Sequence, residues 1–294
     1  MMKRTILTGL VILIVVFTVL AFLGRGSEYI AEKLLYKTLE EYAVINANPE
    51  VSPPRMIAKV EKGLIETIDR FPDANASKMA YIKLVELYLI SKQYDKVTRA
   101  CNEIIEKYKD DIPFLSQVYF ALVVANEASG RWDKSLVYLK ILRDEYFTTP
   151  LGLQAPLYTA RYYERKGMKA EAAKEYGEAV SFYTELSKEK HGTMFGYAAS
   201  SVLIQAYMGI QAYEAAGKAV EDTIKAYPTA MTLVQILPYV ELIYVSTLND
   251  RRKAADIYRY IRERTSDKRL KKLLYDKIVD LKIDGYNEQL ETDN

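Results

Sequence analysis

A single cysteine, Cys101, and a single histidine, His191, stand among 294 residues. One thiol excludes an intrachain disulfide and a cysteine-rich metal site. One imidazole excludes the paired histidines of an HExxH zinc helix. Glycine (13) and proline (9) are also scarce. Neither the GxxxxGK[ST] phosphate loop nor the GxGxxG dinucleotide fingerprint occurs. His191 lies in the polar segment KEKHGT and reads as a loop residue. Cys101 lies on an apolar helical stripe and reads as a small buried hydrophobe. Carboxylate neighbours such as Asp144 and Glu145 read as solvated helix-end charges. The sequon at Asn75 carries information only in a eukaryotic secretory setting. The expectation is a protein with no catalytic residues, no cofactor and no metal, and therefore not an enzyme.

An excess of either charge is equally missing. The formal net charge is +2, and Lys3 and Arg4 precede a long uncharged run. Beyond them the 41 basic residues fall to 39, equal to the 39 acidic ones. A neutral body excludes the broad basic surface that nucleic acid requires. The local exception, Arg251 to Lys272, contains RRK and KRLKK. It reads as a solvated helix face, or as a contact for anionic lipid or an acidic partner.

What the chain does have is helix-favouring Ala, Leu, Lys and Glu, together with 25 tyrosines. Tyrosine offers a large apolar body with a polar tip, suited to half-buried positions between helices. Thr5 to Gly24 is uncharged. As helix it would reach about 30 Å, enough to span a bilayer. Lys3 and Arg4 on its near side place the N-terminus in the cytoplasm and residues after 25 outside. An uncleaved signal-anchor suits the length of the run, while VLA at Val19 to Ala21 leaves a cleaved signal peptide as the alternative. The lipid bilayer is thus an expected partner through residues 5–24.

Two marker sets then recur. Phe71, Tyr108, Tyr146, Tyr183 and Tyr227, each read as closing a helix, are spaced by 37, 38, 37 and 44 residues. Tyr94, Trp132, Lys169 and Tyr213 keep spacings of 38, 37 and 44. Each unit reads as two amphipathic helices. ASKMAYIKLVELYLISKQ pairs with YDKVTRACNEIIEKY, with Val97, Cys101, Ile104 and Ile105 on one stripe. SQVYFALVVANEASG pairs with RWDKSLVYLKILRDEY, APLYTARYYERKG with MKAEAAKEYGEAVSFY, and GYAASSVLIQAYMG with AYEAAGKAVEDTIKAYP. A fifth unit pairs LVQILPYVELIYVS with DRRKAADIYRYIRER. Gly130 and Gly167 stand where a helix C-cap is expected. Pro156 is expected in a first helical turn. Pro238 is expected to start or kink its helix. The spacing of 44 is assigned to a loop at LSKEKHGT. The resulting division is 1–24 membrane segment, 25–72 N-terminal helices and a partial repeat, 73–266 repeat array, 267–284 capping helix and 285–294 disordered tail.

This pattern resembles the tetratricopeptide repeat. Val97, Ser135, Ala172, Ala216 and Ala254 match that family's small residue in the second helix. Tyr88, Tyr163 and Tyr207 match its late aromatic in the first helix, where the second unit has Asn126. Proline follows the closing aromatic only at Pro72 and Pro228. The strict consensus Trp and Leu-Gly are missing, so the resemblance is to looser members. The segment TTPLGLQAPLYTARYYERKG is similar to bacterial envelope members, including the Tol–Pal coordinator and the barrel-assembly lipoprotein. The resemblance implies an all-α solenoid whose first helices line a groove for protein partners or peptide segments. Candidate groove residues are Glu86, Gln117, Phe120, Glu127, Gln154, Arg161, Glu164 and Gln205. Only Arg161 and Asn126 could join a carboxylate-binding cluster of the kind some members use. The expected function is a membrane-tethered scaffold outside the cytoplasmic membrane, with a holder of unfolded envelope proteins as the alternative.

Overall fold

The computed structural model describes residues 26–283. Among these residues it is all-α, with thirteen helices and no strand. The uncharged run Thr5–Gly24 and the tail 285–294 lie outside the described residues. The chain divides into two compact units, Met1–Ile141 and Leu142–Asn294.

Unit 1 contains α1 (Ser27–Ala47), α2 (Pro54–Arg70), α3 (Asn75–Ile90), α4 (Tyr94–Lys107) and α5 (Ile112–Ala128). A 3₁₀ turn, Pro49–Val51, separates α1 from α2. Helix α6 (Trp132–Glu145) crosses the division between the units. Unit 2 contains α7 (Pro150–Arg165), α8 (Lys169–Glu189), α9 (Met194–Gly209), α10 (Tyr213–Ala226) and α11 (Ala230–Val240). A π-helical segment, Glu241–Thr247, extends α11, and α12 (Arg251–Arg264) and α13 (Lys268–Asp280) follow.

The packing is repeat-like within each unit. In unit 1, α1 meets α2 and α3, α2 meets α3, and α3 meets α4 and α5. In unit 2, α7 meets α8 and α9, α8 meets α9, and α9 meets α10. The α1–α2 pair packs in the same way. The next helix, α3, is capped from outside, because the Glu28 carboxylate of α1 accepts the backbone N–H groups of Asn75 and Ala76. A carboxylate there satisfies orphan donors and opposes the positive end of the helix dipole.

Five hairpins turn through one backbone device. The residue two places before each second helix has positive φ: Lys92, Gly130, Gly167, Gln211 and Asn249. The next N–H reaches back six residues in the Asp250–Tyr244 pair, and five residues in Gln93–Tyr88, Arg131–Asn126, Met168–Tyr163 and Ala212–Tyr207. This is the left-handed helix ending expected at Gly130 and Gly167. In three hairpins a side-chain-bearing residue takes that conformation. The backbone equivalence also identifies Tyr244 as the fifth unit's late aromatic. The π segment holds one extra residue, which moves Tyr244 from the sixth to the seventh place before its second helix.

Three expectations are corrected. Tyr183 does not close its helix: α8 continues to Glu189 and is 21 residues long, whereas α4, α6, α10 and α12 have 14. The longer spacing is therefore helix, with Leu186 buried on the continued stripe. Pro156 is inside α7, because Thr149 caps the helix six residues upstream of the expected start by accepting from Gly152 N–H. Pro238 is likewise inside α11 and so does not start it, and the π segment follows α11.

Close approach explains Gly152 and Gly196. A Cβ there would sit 2.0 Å from the Tyr146 carbonyl oxygen and 2.1 Å from that of Lys190, respectively. Each first helix thus presses its third residue onto the end of the preceding second helix. Ser77 at the matching place in α3 donates its hydroxyl to the Thr67 and Phe71 carbonyls.

The combined stretch Ala230–Thr247 is long and apolar enough to cross a membrane. Its Leu233, Ile236, Leu237, Val240 and Ile243 are buried in the core of unit 2 with Ile257, Tyr258 and Leu274. The stretch is 39% buried, with Met231, Val234 and Leu242 exposed.

Candidate binding surface and interhelical ties

Burial organises the tyrosines first. Tyr42 donates to Glu86, Tyr81 to Glu103, Tyr88 to Glu61, Tyr176 to Glu164 and Tyr244 to Glu221, all at 2.6–2.8 Å. Each ring is buried, and each hydroxyl ends on a carboxylate of another helix. Burial raises each phenol pKa most, and hydrogen bonding to the anionic glutamate adds to it. Tyr176 is pushed up to about 12. Tyr183, fully buried, donates to the Leu153 carbonyl. The abundance of tyrosine thus has a local cause: the ring fills the inter-helix space and the hydroxyl fixes the neighbour.

Two of these bonds belong to a repeated arrangement. In unit 1, Glu61 of α2 accepts from Tyr88 of α3 and pairs with Lys96 of α4 at 2.7 Å. In unit 2, Glu221 of α10 accepts from Tyr244 and pairs with Lys253 of α12 at 3.1 Å. Lys96 and Lys253 are each the third residue of their second helix. Gly217 makes room for the second case, since a Cβ there would meet the Tyr244 hydroxyl at 2.5 Å. Sequence reasoning missed both triads. A Tyr-x₇-Lys spacing signals the first, and the extra π residue hides the second.

The candidate groove residues fall four in each unit. In unit 1, Glu86 is half-buried, accepts from Tyr42 and pairs with Lys83 at 2.7 Å. Gln117 is exposed, while Phe120 and Glu127 are half-buried. In unit 2, Gln154, Arg161 and Glu164 are exposed. Arg161 of α7 donates to Gln205 of α9 at 2.7 Å. Glu164, one turn from Arg161, accepts from Tyr176. Arg161, Glu164 and Gln205 are therefore brought together, and Gln205 and Arg161 also oppose the burial shift of Tyr239 on α11. Gln154 stays apart from this cluster in the hydrogen-bond pattern. Glu86, Arg161 and Gln205 share one register position, eight residues before the second helix, where the other two of the five hairpins have Val124 and Ile243. Met231 and Val234 of α11 and Leu242 of the π segment are exposed large apolar residues in the same unit.

Cys101 is fully buried, and burial alone pushes its thiol up to about 12. A protonated, inaccessible thiol is a poor nucleophile. His191 lies between α8 and α9, with its ring centroid 6.1 Å from that of Tyr227. Among the described residues no group of three or more His, Cys, Asp or Glu could hold a metal ion.

No family model matches this chain, and no curated protein sequence matches it.

Proposed function

We propose that the chain is a non-catalytic scaffold that binds protein partners or extended peptide segments along its first helices. The observation that supports this reading is the register position held by Arg161 and Gln205 on successive hairpins of unit 2, where the two side chains are hydrogen-bonded, and by Glu86 in unit 1. Polar side chains along first helices, with apolar Val234 and Leu242 exposed on the next one, suit an extended partner. The hairpins stack as a solenoid similar to the looser tetratricopeptide arrays. The run Thr5–Gly24 tethers them to a cytoplasmic membrane, with the array on its outer side. The tether raises local concentration near membrane partners without a new contact.

Photocrosslinking residues at Gln154, Arg161 and Gln205, introduced one at a time in native membranes, test this reading. The same one or two partners captured at all three, and not at Lys174 on α8, is the expected result. Equal capture at Lys174, or no reproducible partner, overturns it. A C-terminal reporter active only in the cytoplasm overturns the topology separately.

A further inference from the structure

A cleft of about 360 Å³ opens between α8 and α10, over α9. The corresponding space between α10 and α12 measures about 180 Å³. The difference follows from the triads. Between α10 and α12, Glu221 joins Tyr244 and Lys253; between α2 and α4, Glu61 joins Tyr88 and Lys96. The two glutamates lie six and ten residues before the closing aromatic position, and on α8 those places are Gly177 and Ala173. The lysine place on α10 is Ala215. Only the tyrosine remains, as Tyr207, which lines the cleft and whose hydroxyl has no hydrogen-bond partner among the described residues. A Cβ on Gly177 would meet nothing within 4 Å.

The two extra turns of α8 then furnish the wall. Thr184, Ser187, Lys188 and His191 line it, all brought by the extension or its end, and α10 contributes Lys218 and Asp222. Leu203, Tyr207 and Ala219 make an apolar floor. Among the described residues no ion pair engages Lys188, Lys218 or Asp222. The Thr184 hydroxyl is shielded from solvent without a hydrogen-bond partner. Two unpaired ammonium groups against one carboxylate leave the rim net positive, with hydroxyl donors beneath and an apolar base. We infer that this cleft binds an acidic residue flanked by an apolar one in a partner's peptide segment. The carboxylate sits between Lys188 and Lys218, and the apolar side chain lies on Leu203 and Tyr207. The inference deepens the scaffold reading and rests on it for the class of partner. Its rim is formed by the second helices α8 and α10, and its floor by Leu203 and Tyr207 of α9, so its lining shares no residue with the first-helix row.

His191 is the chain's only histidine and lines the cleft, so a single imidazole signal reports occupancy. The test uses the full chain in detergent micelles with isotope-labelled histidine. It is titrated with acetyl-Leu-Glu-amide, with acetyl-Leu-Gln-amide and with inorganic phosphate. The expected result is a saturable shift of the His191 signal by the glutamate peptide. Binding should be about tenfold or more tighter than the glutamine peptide, which lacks the charge. Lys188→Gln and Lys218→Gln, both at exposed side chains, each weaken it several-fold. The double variant Gly177→Glu/Ala215→Lys supplies the missing triad partners and abolishes the shift. Equal response to the two peptides overturns charge recognition, and an equal response to phosphate overturns a peptide site. The absence of any shift overturns the cleft as a site. None of these outcomes alters the crosslinking result at Gln154, Arg161 and Gln205, so the two readings fail separately.

Discussion

Between α10 and α12, Glu221 holds the Tyr244 hydroxyl and the Lys253 ammonium at once. Between α8 and α10 the matching places are Gly177, Tyr207 and Ala215, and a cleft remains. The two junctions lie side by side in one unit and share α10. Their difference shows that the hairpin rule fixes where second helices stand, while three side chains decide whether the space between them is filled. A filled junction gains cohesion, and an unfilled one gains a surface with chemistry of its own.

The comparison breaks most sharply at Glu221. Glu221→Ala strands a buried tyrosine hydroxyl beside an unpaired lysine. The expected cost is about 1.5–3 kcal/mol in chemical denaturation, the range for a hydrogen bond to a charged group. Next come two glycines with opposite signs. Gly217→Ala drives a methyl group into Tyr244 and should destabilise by about 1–2 kcal/mol, an overpacking cost exceeding the helix-propensity gain. Gly177→Ala meets open space and should stabilise by just under about 1 kcal/mol, the propensity difference alone. Equal effects from the two would remove the distinction between the junctions.

Tyr244→Phe should then cost about 1.5 kcal/mol, the low end for a hydrogen bond to a charged group whose other partner, Lys253, remains, while Tyr207→Phe should be close to neutral. Alkaline denaturation sharpens the same contrast. A phenol whose pKa is raised in the folded state stays neutral there, while the unfolded chain ionises near pH 10. Between those values the unfolded state holds fewer protons, so stability is whole below about pH 10 and declines as pH rises. For Tyr176 the decline runs to its folded value of about 12. Tyr244→Phe and Tyr88→Phe should flatten the decline. Within the triad the smallest effect is Lys253→Gln, about 0.5 kcal/mol, because the lysine end is partly in water.

Much of the hairpin plan was legible in the sequence. Tyr94, Trp132, Lys169 and Tyr213, taken only as a spacing, are the first residues of α4, α6, α8 and α10. Regular spacing reports backbone repetition directly, which is why it succeeded. Helix ends were less legible. Nothing in LSKEK forbids helix, and its polar character was taken for a loop although Leu186 continues the stripe. Pro156 suggested a first turn because proline favours that place, yet Thr149 six residues upstream is the cap. Within the candidate groove, the register of Arg161 and Gln205 followed from the repeat, while their hydrogen bond requires coordinates. The triads joining different hairpins were invisible, because their members lie 27 and 35 residues apart in one case, and 23 and 32 in the other.

The two length irregularities, the long α8 and the π segment after α11, share one arithmetic. Seven residues of α-helix turn almost twice around, leaving a buried stripe displaced by only about 20°. One residue turns it by about 100°, too far for a stripe to stay buried, unless a widened π turn takes up the excess. Both outcomes occur here, two whole turns in α8 and one widened turn before α12. Growth of such a chain is therefore quantised. An insertion or deletion survives when it is a near-integral number of turns or a single absorbed residue. The interval Lys169 to Tyr213 is where a quantum of seven was admitted, and new recognition surface is the form that extra length can take without disturbing the register of anything after it.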